Sequence, residues 1–251
     1  MDRSELTTYL DEYLHINEID DYGPQGLQVE ANNDSVQRVA LSVDTAPPVI
    51  EAAAAWAADM LLVHHGIFWR SVEPIAGPLG ERVRLLLSND IHLYAAHLPL
   101  DAHPEVGNNA ILAQILNLDV QRWWGEPTNV PLGVLGSVPG GTRLSDLVGA
   151  LEDELNTTTR VLDHGPERVQ NVAIISGAAA QEATEAAELG ADTFITGETS
   201  HANYWDARDL GINIIYAGHY ATETVGVQAL GRHLADRFGV EVKFFDFPTE
   251  M

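Results

Sequence analysis

The stretch Asp59-Met60-Leu61-Leu62-Val63-His64-His65-Gly66 decides how this chain is read. Leu61 to Val63 is a short apolar run that stops at a glycine turn, the pattern of a buried strand. It follows an alanine-rich segment opened by Pro47-Pro48. Proline is tolerated in a first helical turn, so residues 47–58 are expected to be helical. Residues 38–43 precede that helix as a further apolar run, and the region reads strand, helix, strand. This order is the unit of an α/β protein. Two imidazoles at the end of the second strand are costly to bury unless something pairs with them. The stretch that indicates the fold therefore also marks a site.

Working outward, the same rhythm covers most of the chain. A helix is expected over 4–14, a strand over 60–64, a helix over 81–87, a strand over 91–95 and a helix over 108–116. Trp123-Trp124-Gly125-Glu126-Pro127 reads as a break. It divides a first lobe, 1–125, from a second, 126–251. In the second lobe strands are expected over 132–138, 158–162, 169–175, 192–196, 212–216 and 241–245. Helices are expected over 144–155, 178–189, 201–210 and 222–238, with Gly190 closing the second of these as a C-terminal cap. The layout of the opening stretch recurs in Asp192-Thr193-Phe194-Ile195-Thr196-Gly197-Glu198. In both, an acidic residue precedes a strand that ends in polar groups at a glycine, which suggests that the two halves are related units.

Composition narrows the function classes. The 251 residues carry 37 acidic and 13 basic side chains, a net charge of −24, and Lys243 is the single lysine. The acids are spread along the chain rather than gathered in a tail. Such a surface repels itself unless salt screens it, and molar salt shortens the screening length to about 3 Å. Scarce lysine combined with spread acidity reads as halophilic. The same field disfavours nucleic acid as a partner, because phosphate binding needs a basic patch. Cysteine is absent, so any metal must be held by nitrogen and oxygen. No apolar run reaches the length of a membrane span and no signal peptide is visible, so a cytoplasmic protein without a membrane partner is expected.

Three polar clusters follow expected strands. His64 and His65 end one; His97-Leu98-Pro99-Leu100-Asp101 follows another; Gly218-His219-Tyr220-Ala221-Thr222-Glu223 follows a third. Sites in parallel α/β sheets gather at the carboxyl ends of strands. On a helix, His219 and Glu223 would share one face. Five groups, His64, His65, Asp101, His219 and Glu223, are too many for one tetrahedral ion. They suit two ions bridged by carboxylate, which typically lie about 3.5–4 Å apart. Taken singly, the residues allow other readings. Neighbours on a strand point to opposite faces, so one of His64 and His65 could be a core residue. Asp101 could cap a helix, and His201 could simply begin one.

These three segments resemble those of the dinuclear metal-centre hexameric proteins, also called Nif-three-like or GTP cyclohydrolase I type 2-like. Gly26-Leu27-Gln28-Val29, the strand end Val43-Asp44, and Thr196-Gly197-Glu198 with His201 extend the resemblance over nearly the whole chain. Ser176-Gly177-Ala178 departs from it, since a richer glycine turn is expected there. The resemblance implies two α/β lobes with mixed or parallel sheets and a dinuclear metal site in the cleft between them. It implies His64, His65, Asp101, His219 and Glu223 as ligands of two divalent transition ions, with Zn, Fe, Mn, Ni and Co all compatible with the donors. His97 and His201 match histidines that line the same cleft, as positioning or acid–base candidates. A homohexamer is implied as well. The expected function is metal-dependent hydrolysis of a small nucleotide-like or phosphorylated substrate through a metal-bound hydroxide; the alternative is metal storage, delivery or scaffolding without turnover.

Overall fold

The computed structural model describes residues 1–69 and 74–251. Residues 70–73, between the strand expected over 60–64 and the helix expected over 81–87, lie outside the described residues. The chain divides into two compact units, Met1–Val106 with Val227–Phe247, and Gly107–Gly226 with Pro248–Met251.

The first unit opens with α1 (Arg3–Tyr13), β1 (Gly26–Val29), β2 (Arg38–Asp44) and α2 (Pro47–Ala55). It continues through β3 (Met60–His65), α3 (Gly77–Ser88), β4 (His92–Ala95) and the short α4 (Leu98–Asp101). Its sheet is completed from the far end of the chain by β11 (Glu241–Phe244), in the order β1-β4-β3-β2-β11. Pairings β11–β2, β2–β3 and β3–β4 are parallel, and β1 is antiparallel to β4. The central β3 is covered on both faces, which explains its unbroken apolar run: Met60, Leu61, Leu62 and Val63 are fully buried. Each such aliphatic side chain contributes about 1.5–3 kcal/mol by burial. Val49, Ile50 and Ala53 of α2 join Leu61 and Val63 in one cluster with Leu86 of α3.

The second unit comprises α5 (Asn108–Ile115), β5 (Asp119–Trp124), β6 (Gly133–Arg143), α6 (Leu144–Leu155), β7 (Arg160–Asp163), β8 (Arg168–Ile174), α7 (Ala183–Glu188), β9 (Thr193–Thr196), α8 (Asp206–Leu210) and β10 (Asn213–Tyr216). Its sheet runs β5-β6-β8-β9-β10-β7, with β8, β9 and β10 parallel and the outer strands antiparallel to their neighbours. Helix α9 (His219–Phe238) begins in this unit and continues into the first. Among the described residues no helix is long and apolar enough to cross a membrane.

Several local expectations need correction. Trp123 and Trp124 do not lie in a break: they end β5, where Trp124 pairs with Gly133 of β6. Gly125, at φ +68°, starts the turn of that hairpin. Contacts divide the chain between Val106 and Gly107, and α9 returns it to the first unit. The helix expected over 178–189 is shorter. Ala179 still donates its N–H to Thr196 Oγ1, a 3-10 turn follows at Ala180–Glu182, and the α-helix starts only at Ala183. The helix expected over 201–210 reduces to Asp206–Leu210, because Asn203 Nδ2 donates to Asp206 Oδ2 at 2.8 Å and favours turns upstream. Helix α9 begins three residues before the expected 222, directly at His219 after Gly218 at φ +90°.

Candidate metal centre

In the first unit the site starts at the carboxyl end of β3. The His64 ring is fully buried, and its Nδ1–H donates to the Ala96 carbonyl at 2.9 Å. His65 Nδ1–H donates to Asp44 Oδ1 at 2.8 Å. Asp44 ends β2 and is the parallel-register partner of His65. His97, immediately before α4, donates Nδ1–H to Asp21 Oδ1 at 2.8 Å, while Asp21 Oδ2 accepts the Leu98 N–H at 2.9 Å. Ligand atoms of His64, His65 and His97 all lie within 4.8 Å of one another. Asp101 closes α4, is buried, and places Oδ2 3.5 Å from His64 Nε2. The rings of His65 and His97 also stand against Trp69, at centroid distances of 5.9 and 5.3 Å.

In the second unit His219 is the first residue of α9 and Glu223 lies one turn on. His219 Nε2 is 3.1 Å from Glu223 Oε1, and its Nδ1 is 2.9 Å from Glu198 Oε2. The hydrogen bond to Glu223, with that carboxylate's charge and Glu198 adding to it, pushes the His219 pKa up to about 9 against the opposing effect of burial. Close backbone approach makes the arrangement possible. Gly197 N–H and Glu198 N–H both donate to the Gly177 carbonyl, and Gly218 N–H donates to that of Gly197. A Cβ on Gly197 would come within 2.7 Å of the Gly177 oxygen and of His219 Cα. Gly177, at φ +66°, could carry none without colliding with Glu223 Oε1. One glycine at the 176–178 turn therefore suffices where a richer run was expected. Thr222 Oγ1 accepts the Gly177 N–H at 3.0 Å and fixes the turn to the helix.

A common rule runs through these histidines. A carbonyl or an ionised carboxylate can only accept, so Nδ1 of His64 and His65 must carry the proton, as must Nδ1 of His97 and His219. Nε2 is then the nitrogen with a lone pair in each neutral ring. His92 and His103 differ. His92 Nδ1 accepts the Ala31 N–H while its Nε2–H donates to Asn33, and His103 accepts two backbone N–H groups and donates to the Tyr13 carbonyl. Those two rings are bound entirely by their surroundings. In each unit the rings and carboxylates are nitrogen and oxygen donors of the kind that suits a divalent transition ion.

The structure thus gathers His64, His65, His97 and Asp101 in the first unit, and His219 with Glu223 in the second. His201 is exposed in the turn before α8, outside every metal-capable group among the described residues. Sequence reading missed the role of Asp44 and overlooked Asp21. A signal existed for Asp44, since counting β2 and β3 in parallel register sets it beside His65. Asp21 comes from irregular backbone between α1 and β1 and had none.

Two α/β units, each with histidines and carboxylates close to the carboxyl ends of its parallel strands, define an α/β protein with a candidate metal site. The chain belongs to the Duf34/NIF3 (NGG1p interacting factor 3) family, whose sequence pattern it matches over residues 1–250. It is 43% identical over 250 residues to the GTP cyclohydrolase 1 type 2 homolog of Pyrococcus abyssi, covering 99% of each chain. Identity to the protein of that name from Deinococcus radiodurans is 42% over 247 residues, 98% of this chain and 94% of that one. Among solved structures it is similar to protein ybgI, described as of unknown function, with a TM-score of 0.93, 38% identity and full coverage of both chains. Similarity to TTHA1606 from Thermus thermophilus reaches a TM-score of 0.91 at 39% identity, again over both chains in full.

Proposed function

We propose that this protein binds two divalent transition ions through His64, His65, Asp101, His219 and Glu223, and that it is a hydrolase of a small nucleotide-like or phosphorylated molecule. The observation that supports this reading is a shared orientation: each of the three histidines in that set engages Nδ1, which leaves Nε2 as the nitrogen a metal would take, at His219 in exchange for the Nε2 proton shared with Glu223. Two bound cations would supply Lewis acidity and lower the pKa of water toward neutrality. Around them the chain's own residues orient and shield. Asp21 holds the His97 proton at Nδ1, and the Trp69 ring walls the same histidines. Zn, Fe, Mn, Ni and Co all remain compatible with nitrogen and oxygen donors.

Elemental analysis of protein purified without added metal tests the binding half of the proposal. Two ions per chain are expected, with sharp loss in His65→Ala and Asp101→Ala at unchanged circular dichroism; full occupancy in both variants would overturn it. The name carried by the relatives makes GTP the first substrate to try, followed by other nucleotides and sugar phosphates with the native metal. Turnover that tracks occupancy and disappears in Glu223→Gln supports the hydrolase. Occupied protein without turnover on any of these, and with ready metal exchange, would favour storage or delivery. His201→Ala tests whether that exposed histidine takes any part. We further propose a cytoplasmic homohexamer, to be checked by light scattering, and a halophilic surface, whose melting temperature should climb with potassium chloride.

A further inference from the structure

We infer that Asp44 and Glu198, two carboxylates outside the donor set, are positioning residues that set the metal affinity of His65 and His219; the inference rests on the dinuclear reading above. Each acid accepts the Nδ1–H of one ligand ring, at 2.8 Å for His65 and 2.9 Å for His219. The bond does two things to the imidazole. It keeps a proton on Nδ1, so that Nε2 is the nitrogen a metal would take, and it restrains rotation about the ring's own bond to Cβ. A carboxylate partner also raises the electron density of the ring, which strengthens Nε2 as a donor.

Both acids sit on rigid backbone. Asp44 is the last residue of β2, directly across the parallel ladder from His65. The next residue, Thr45, donates Oγ1–H to the His65 carbonyl at 2.9 Å, so adjacent positions of one strand end hold both the main chain and the ring of that histidine. Glu198 follows β9 by two residues and is anchored by its own N–H to the Gly177 carbonyl at 2.9 Å. His64 uses a neutral carbonyl for the same purpose, so the charged version is kept for the two less buried rings.

Exposure separates this role from a packing role. The Asp44 and Glu198 side chains are 38% and 44% exposed, so truncating them leaves no sealed cavity and no buried orphan in the fold. Asp21 is a poorer probe: its side chain is 2% exposed and it also binds the Leu98 N–H.

The test is a zinc titration of the full-length, metal-stripped chain against a competing chelator dye. Asp44→Ala and Glu198→Ala should bind zinc about 10–100-fold more weakly than wild type, with unchanged circular dichroism. Asp44→Asn and Glu198→Gln keep an amide oxygen that can still accept from Nδ1–H, and should recover part of the loss. Should an alanine variant lose its fold, the Asn and Gln variants decide by the same measure, a clear weakening being expected. Zinc affinity within about threefold of wild type in the folded variants would overturn the inference. His65→Ala and Glu223→Gln run beside them. If these two keep full zinc, the metal reading itself fails; if they lose zinc while the Asp44 and Glu198 variants bind like wild type, only the positioning role falls.

Discussion

Asp59 and Asp192 stand at the same point of two units that share almost no sequence around them. Asp59 Oδ2 accepts the N–H groups of Gln37 and Arg38, both at 2.8 Å; Asp192 Oδ2 accepts those of Gln170 and Asn171, at 2.8 and 3.0 Å. The correspondence continues strand by strand. Ala96 N–H meets the Val63 carbonyl as Ala217 N–H meets that of Thr196. His92 clamps Ala31 and Asn33 at the start of β4, and Asn213 clamps Gly165 and Pro166 at the start of β10 with amide atoms in the same two roles. The runs β2 to β4 and β8 to β10 are one scaffold built twice.

Chemistry departs where the scaffold ends. Counting from the paired aspartates, His64 and His65 match Gly197 and Glu198; counting from His92 and Asn213, His97 matches Gly218 and Asp101 matches Thr222. The first unit fills its strand ends with imidazoles. The second leaves glycines there, and the freed space admits the first turn of α9 with His219 and Glu223. Equivalent positions therefore do not carry equivalent donors, although both units offer donors at the carboxyl ends of parallel strands, where α/β sheets place their sites.

The sharpest way to break this comparison is to remove the matched aspartates. Each accepts two backbone N–H groups with a charged oxygen, so Asp59→Ala and Asp192→Ala should each cost about 2–4 kcal/mol in chemical denaturation. A large cost in one unit and none in the other would end the equivalence. Next in size is Gly177→Ala, which forces a Cβ at positive φ against Glu223. A loss of about 1–3 kcal/mol is expected, together with reduced zinc uptake. Unchanged uptake would show that Glu223 can move without consequence.

Protonation provides a third, subtler contrast, because the pKa of His219 is raised to about 9 from 6.5. A group raised in the folded state contributes stability that is complete below its unfolded pKa and is lost as pH climbs through the folded one. In metal-free protein, wild type should therefore melt above His219→Gln at pH 6, and the gap should close by about pH 10. An equal gap at both pH values would refute the His219–Glu223 pairing. The smallest effect concerns the helix ends. Ala57, at φ +55°, occupies the turn that Gly190 makes at φ +89°. Ala57→Gly should stabilise by about 0.5–1 kcal/mol while Gly190→Ala destabilises by about as much, both read from urea midpoints.

Much of the fold was legible because periodicity is local. Met60 to Val63, the proline-opened α2 and the α6 span each betray themselves within a dozen residues. Helices α7 and α8 were overextended because alanine propensity and apolar spacing ignore competing side-chain bonds such as those of Thr196 and Asn203. β5 was overlooked because Trp124-Gly125 has the chemistry of a turn, and only its pairing with β6 shows which side of the glycine is strand.

By itself the sequence determined the α/β alternation, the acidic surface, the absence of thiolate donors and the histidine and carboxylate candidates, since each follows from composition or from neighbours along the chain. Only the tertiary structure decided the tautomers. His64, His65, His97 and His219 are distinguished from His92 and His103 by what meets Nδ1, and those partners lie between 21 and 76 residues away for the site rings. A histidine's protonation is a property of its hydrogen-bond partner, and the partner is chosen by strand register and backbone approach rather than by spacing in sequence.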